Sequence, residues 1–256
     1  MVEAWRCMCM FMSSLFKYFP AEYIKDKNGK ERNYALESIK NNTLWASIPD
    51  AFNDPFECES RCTIDDLMKA AMQKDWKVAA LDNSTDRQSI ENELLSTITA
   101  AREQLKSQIG ITCFSRKDTS LLMWGHYANC HRGICVEYDA SKFTKKMWPV
   151  EYHSEMICLT GYKGIKLQLA VIGSLYRKSP EWSYEEEVRA IHMQVPLGEQ
   201  GASWDAPIPK SIRLGVKADE RLKAEIKDLC KEKGIELYQM KKVPGQYAIE
   251  KIKIEL

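Results

Sequence analysis

The sequence predicts an α+β fold: one domain over 15–256, with a mixed or split, mainly antiparallel sheet flanked by helices. Three observations predict it. Short runs that alternate apolar and polar residues recur along the chain, as half-buried strands do. Runs of helical period fall between them in clusters, without the regular β-α-β beat of a doubly wound parallel sheet. Neither standard glycine-rich phosphate loop is present, and there is no internal repeat.

Residues 1–14 are expected to form a flexible arm. They are apolar but include Glu3 and lack the basic start of a secretory leader, and Met12 is an alternative first residue. Leu15 to Tyr18 suits a short buried strand ended by Pro20. Lys25 to Arg32 suits a solvated loop centred on Asn28-Gly29. Tyr34, Leu36 and Ile39 mark a short helix stopped at Asn41-Asn42, and Leu44 to Ile48 a strand closed by Pro49. Helices are expected over Asp65–Ala80 and Ile90–Gln108, the second carrying Leu94, Ile98, Ala101 and Leu105 at helical spacing and ended by Gly110.

Ile111 to Phe114 is the next strand. Thr119 or Ser120 caps a helix running from Leu121 to Asn129. A strand over Gly133–Tyr138 and a helix over Ile165–Tyr176 follow. In a strand over Glu187–Gln194, Val188, Ala190 and His192 share one face, and Glu187, Arg189 and Ile191 the other. Ser211–Val216 suits a strand, Asp219–Lys233 a helix ended by Gly234, and Ile235–Met240 a strand. Ile252, Ile254 and Leu256 alternate with charges in a half-buried final strand.

Composition narrows the function classes. Hydrophobic residues are 45% and charged residues 29% of the 256, which suits a globular chain rather than a disordered one. With 37 Lys and Arg against 36 Asp and Glu, the net charge of +1 gives no general attraction to nucleic acid or anionic lipid. No run approaches the ~20 apolar residues of a membrane span, so no membrane partner is expected. Nine irregularly spaced cysteines suit reduced thiols and a cytoplasmic location. Cys7 with Cys9, and Cys58 with Cys62, make no paired zinc array. Cys113, Cys130, His131 and Cys135 are closer to one, but buried cysteines usually serve as small hydrophobes, and no metal is expected.

Four segments mix polar, aromatic and turn residues in ways that suit a site. Trp45-Ala46-Ser47 is followed by Asn53-Asp54-Pro55-Phe56-Glu57, which reads either as a corner locked by Pro55 or as a ligand-facing loop with Glu57 on its rim. Cys113-Phe114-Ser115 leads to Met123-Trp124-Gly125-His126-Tyr127 and His131-Arg132-Gly133. There Trp124 and Tyr127 share a helical face, His126 titrates in a useful range, and the aromatics serve either a core or a planar ligand. In Lys178 through Arg189, three successive glutamates open a strand near Trp182 and Tyr184; Glu187 with Arg189 is either a same-face ion pair or part of a cleft. Pro207-Ile208-Pro209 gives a rigid approach to the strand at Ile212.

These segments, with Leu15-Phe16-Lys17-Tyr18, Leu44-Trp45-Ala46-Ser47 and His131-Arg132-Gly133-Ile134-Cys135, together resemble a bacterial family known as domain of unknown function 2971. Its opening pattern is similar to that of ADP-ribosyltransferase-like folds, which bind NAD in a cleft between two small sheets. The resemblance implies NAD as substrate and an ADP-ribosyltransferase or NAD-cleaving activity, in a bacterial toxin or phage-defence setting with a macromolecular acceptor. It implies Glu187 or Glu185 as the carboxylate facing the ribose, Tyr18 or Trp124 stacked on the leaving base, and His126 or Tyr127 bonded to a ribose or phosphate oxygen. Arg189 would bind phosphate or hold Glu187. Lys17-Tyr18 stands where that pattern has His-Tyr. The candidate catalytic residues are therefore Glu187, Glu185 and His126. The candidate ligand-binding residues are Lys17, Tyr18, Asn53, Asp54, Glu57, Ser115, Trp124, Tyr127, His131, Trp182 and Arg189. Two other readings compete: a non-catalytic nucleotide- or protein-binding module, and a hydrolase with Cys113 as nucleophile and His126 or His131 as base.

Overall fold

The computed structural model describes residues 13–61, 92, 96, 99–100, 102–159 and 165–256. Residues 1–12 of the arm expected over 1–14, the helix Asp65–Ala80, residues 90–91, 93–95, 97–98 and 101 of the helix Ile90–Gln108, and Cys7, Cys9 and Cys62 lie outside the described residues. Ser14, expected in the arm, is instead the first residue of a strand, because it pairs with Asp139.

Strand β1 (Ser14–Phe19) stops at Pro20, as its missing N–H requires. The expected loop that follows contains a small hairpin, β2 (Ile24–Lys25) with β3 (Glu31–Arg32), closed because Asp26 Oδ1 accepts from the N–H groups of Asn28 and Lys30. Helix α1 (Tyr34–Asn41) starts where Asn33 accepts from Leu36 N and ends where Asn42 turns left-handed at φ 52°. β4 (Thr43–Ser47), a 3-10 turn at Pro49–Ala51 and β5 (Ser60–Arg61) follow.

β6 (Ile109–Ser115) is longer than expected, and Gly110 lies inside it rather than ending a helix. A Cβ at Gly110 would meet Ala46 Cβ at 2.9 Å, so the glycine permits the close approach of β4. Helix α2 (Leu121–Tyr127) is capped by Ser120 and ends short of Asn129, because Asn129, Cys130 and His131 take positive φ angles in the turn to β7 (Ile134–Asp139). β8 (Met147–Pro149), β9 (Glu151–Tyr152) and β10 (Ile157–Cys158) were not expected.

Helix α3 (Ile165–Ser174) ends two residues before Tyr176, and β11 (Arg177–Lys178) and a 3-10 turn at Pro180–Glu185 lead into β12 (Glu187–Met193). β13 (Gly201–Asp205), also unexpected, precedes β14 (Ser211–Leu214). Helix α4 (Glu220–Lys233) is capped by Asp219 and closed by Gly234 at φ 67°. β15 (Glu236–Lys242) and β16 (Ile249–Ile254) complete the chain. β16 is mostly exposed rather than half-buried, because it is the outermost strand and pairs with β15 alone.

The main sheet is mixed and mostly antiparallel. β14 and β15 run parallel, joined by the α4 crossover, and the other pairs in this sheet are antiparallel. Its decisive feature is at β6. β12 occupies one whole edge of β6, from Glu187↔Ser115 to Met193↔Ile109. β1 and β4 must therefore share the other edge, and each touches it once: Phe16↔Ser115 and Ser47↔Ile111. The sheet thus splits into a half led by β1 and β7 and a half led by β4, β6 and β12, with a wedge between β1 and β4.

One face of the sheet packs on α1 and α4, with Leu15, Phe114, Val136 and Val188 meeting Ile39, Leu222 and Ile226. On the other face Phe16, Tyr18 and Cys135 pack against Met123, Trp124 and Ala128. Among the described residues no helix is long and apolar enough to cross a membrane.

Candidate functional site

The 3-10 turn at Pro180–Glu185 delivers a series of glutamates to the start of β12, and Glu186, at φ 43°, reverses the chain between two of them. Period-two geometry puts Glu187 and Arg189 on the α2 face. Both are buried, with Glu57, Lys178 and Glu185 beside them. Burying charges is tolerable only when they are paired and hydrogen-bonded, and here they are.

Arg189 Nε donates to Glu187 Oε1 at 2.9 Å and its Nη2 to Glu187 Oε2 at 3.0 Å. The same guanidinium also donates to Glu57 Oε1 and to the carbonyl of Leu175. Lys178 Nζ lies 2.7 Å from Glu185 Oε2, 3.1 Å from Glu57 Oε2 and 3.4 Å from Glu187 Oε2. Pairing of β11 with β9 sets Lys178 opposite Tyr152, whose hydroxyl accepts from Glu187 N at 2.9 Å. Tyr127 O–H donates to Glu185 Oε1 at 2.5 Å.

The two strand-end glutamates differ electrically. Burial alone would raise Glu187, but Arg189 and Lys178 outweigh it and hold the carboxyl down at about 2. Glu185 goes the other way: burial, then the neighbouring Glu187 charge, push it above its ordinary value, against the pull of Lys178 and Tyr127. Glu185 is the weaker acid of the pair, as expected of the carboxylate with no guanidinium partner.

Beside this cluster, where β1 leaves β6, is a cavity of about 170 Å³. That is close to the ~150 Å³ in which a benzene-sized ring sits in a protein interior. Of the candidate residues, Lys17, Tyr18, Asn53, Glu57, Ser115, Tyr127, Glu185 and Glu187 line it, with Phe16, Phe52 and Met123 as apolar wall. Lys17 stands in the split. Burial pushes its ammonium below the ordinary range, while Cys113 and Glu187 oppose the shift.

The other candidates stand outside the cavity lining. Trp124 is fully buried, edge-on to Tyr18 at 5.4 Å, with its N–H donated to the carbonyl of Asp118, so its faces are not free to stack on a ligand. His131 stacks on Trp124 at 6.3 Å. His126 is exposed, 2.9 Å from the Tyr184 hydroxyl and near Trp182, whose ring lies 4.7 Å from Lys178 Nζ. Asp54 caps its own turn by accepting from Phe56 N. Arg189 is fully enclosed among its acidic partners and holds Glu187 rather than facing the cavity. Ser115 lines the cavity but also ties β6 to the glutamate turn, donating to the Glu185 carbonyl at 2.6 Å. Burial, then Glu187, push the Cys113 thiol well above its ordinary range, so it is a neutral thiol and a poor nucleophile.

Lys178 was missed among the candidates. The signal was available: a run of glutamates entering a strand demands a nearby cation, and Lys178 opens that segment. Among the described residues no group of three or more His, Cys, Asp and Glu is placed to hold a metal ion. No family profile, curated protein or solved structure matches the chain.

Proposed function

We propose that the protein binds a nicotinamide dinucleotide at the split in the sheet and cleaves its nicotinamide–ribose bond. The observation that carries the reading is the ring-sized cavity at the split, lined by Glu185, Tyr127 and Lys17 together. The motif order that resembles domain of unknown function 2971 and ADP-ribosyltransferase-like folds supports the same reading, and such an activity suits a bacterial toxin or phage-defence effector.

In this mechanism the bond between the ribose C1′ and the nicotinamide nitrogen breaks, and its electron pair leaves with neutral nicotinamide. Positive charge builds on the ribose. A carboxylate fixed beside it lowers the barrier electrostatically. Glu185 takes that role. Its oxygens are held by Lys178 and Tyr127, and each keeps a second lone pair for a ribose hydroxyl. Water, or a nucleophile of a protein or nucleic-acid acceptor, bonds to C1′ and releases its proton to solvent. Glu187, locked by Arg189, positions the turn that carries Glu185. The test is nicotinamide release from NAD by the full chain, with and without candidate acceptors. Glu185→Gln is expected to slow it by about 10²-fold or more. A well-folded protein that releases no nicotinamide with any acceptor refutes the reading.

A second reading is a binding module without turnover. It is favoured by the pairing of every oxygen of Glu57, Glu185 and Glu187 within the protein. On that reading NAD or a related nucleotide raises the melting temperature and is recovered intact.

A further inference from the structure

The wedge between β1 and β4 holds a second, larger hollow of about 610 Å³, within the size range of small-molecule sites. Lys17 and Tyr18 line both this hollow and the 170 Å³ cavity, so the two adjoin at β1. One wall is a single face of α1, made by Tyr34, Glu37, Ser38 and Asn41 at helical spacing. Trp45 of β4 and its register partner Ser203 of β13 also line it.

Two aromatic rings in these walls are held yet uncovered. Trp45 is 50% exposed and Tyr34 51% exposed. The indole of Trp45 lies against the backbone of Gly201, where a Cβ would come within 2.7 Å of its Cε2 and Nε1, so the glycine allows the ring to rest on the strand. Tyr34 is backed by the Arg32 guanidinium, 5.0 Å from its ring, and Arg32 is in turn paired with Glu37. A ring fixed from behind and half exposed in front is a stacking platform. Between the platforms and the smaller cavity stands Lys17. Among the described residues no carboxylate lies within ion-pair distance of it, whereas Lys178, the other cation of the smaller cavity, is shared among three glutamates.

We infer that the larger hollow binds the nucleoside end of a nucleoside diphosphate, the base against Trp45 and Tyr34 and the diphosphate at Lys17. Asn41, Ser47 and Ser203 offer amide and hydroxyl groups to the sugar. The assignment deepens the dinucleotide reading, on which it rests for the direction of the ligand: the nicotinamide end enters the smaller cavity and the adenosine end fills the larger hollow. Binding of the nucleoside diphosphate itself requires no cleavage.

The experiment is titration of the full chain with ADP by calorimetry and tryptophan fluorescence, alongside nicotinamide release from NAD. ADP is expected to bind the wild-type protein. Trp45→Ala and Lys17→Met are each expected to weaken it by about tenfold or more, as lost base stacking or a lost phosphate partner does. Tyr34→Ala, on the solvent-facing side of α1, serves if Trp45→Ala does not fold. Absence of ADP binding to the wild type, or equal affinity in the folded variants, overturns the inference. NAD cleavage with an unchanged KM in Trp45→Ala overturns it while leaving the cleavage reading intact. ADP binding that depends on Trp45 and Lys17, with no nicotinamide release, supports it and refutes cleavage alone.

Discussion

Tyr127 and Glu185 are joined by a hydrogen bond of 2.5 Å between side chains 58 residues apart, tying the end of α2 to the turn that feeds β12. The distance is that of a charge-assisted O–H to carboxylate bond. It couples the local structure of two elements to the acidity of the proposed reacting group.

Tyr127→Phe removes that donor and leaves Glu185 with Lys178 alone. The bond lowers the Glu185 pKa, so its loss raises it further. The acid limb of nicotinamide release should move to higher pH, and stability should fall by about 1.5–3 kcal/mol. A pH–rate profile and urea denaturation check the two halves; an unmoved acid limb refutes the proposed role of Glu185.

Arg189→Met leaves Glu57 and Glu187 buried without their guanidinium. The expected cost is about 3–5 kcal/mol, read from the urea midpoint. Adding Glu187→Met should recover part of the loss, because the pair is then replaced by apolar side chains rather than broken. A single variant as stable as wild type would show the cluster to be better solvated than its burial implies.

Acid should unfold the protein partly through Glu187. Its folded pKa of about 2 lies below the ordinary 4.5, so its contribution is fully present above 4.5 and is lost as pH falls from there toward 2. Glu137, held at about 2 by Ser14, Ser211 and Arg213 despite its burial, adds a loss of the same sign. Glu185 acts oppositely: its raised pKa makes ionisation costly, and that cost fades as pH falls through the raised folded pKa and is gone below 4.5. Urea midpoints of wild type and Glu187→Gln should therefore converge between pH 4.5 and pH 2. A gap that stays constant with pH would exclude this linkage.

Two glycine substitutions should act in opposite directions. A Cβ at Gly133 would overlap the carbonyls of Phe19 and Pro20, so Gly133→Ala should destabilise the β1–β7 pairing and lower the melting temperature. A Cβ at Gly125, within α2, meets nothing within 4 Å. Gly125→Ala should stabilise by up to about 1 kcal/mol through helix propensity. Thermal denaturation of both variants decides it.

Much of the local structure was legible from residue order alone. The caps at Ser120 and Gly234, the stop at Pro20, and the common face of Glu187 and Arg189 depend on neighbours in sequence, and local sterics and hydrogen bonding determine them. The short strands β8, β9, β10 and β13 were not, because a strand's partner supplies the hydrogen bonds that define it. Gly110 reads as a helix stop until the side chain of Ala46, from another strand, shows why no Cβ fits there.

By itself the sequence determined the α+β class, most of the capped helices, and the need of an acidic run for a cation. Tertiary structure alone decided the split in the sheet, since β1 and β4 share an edge of β6 only once β12 has taken the other. It alone gathered Glu57 to an arginine 132 residues away and made Glu185, rather than Glu187, the weaker acid. The reason is that burial and charge pairing set a carboxylate's energy, and both depend on which distant segments meet.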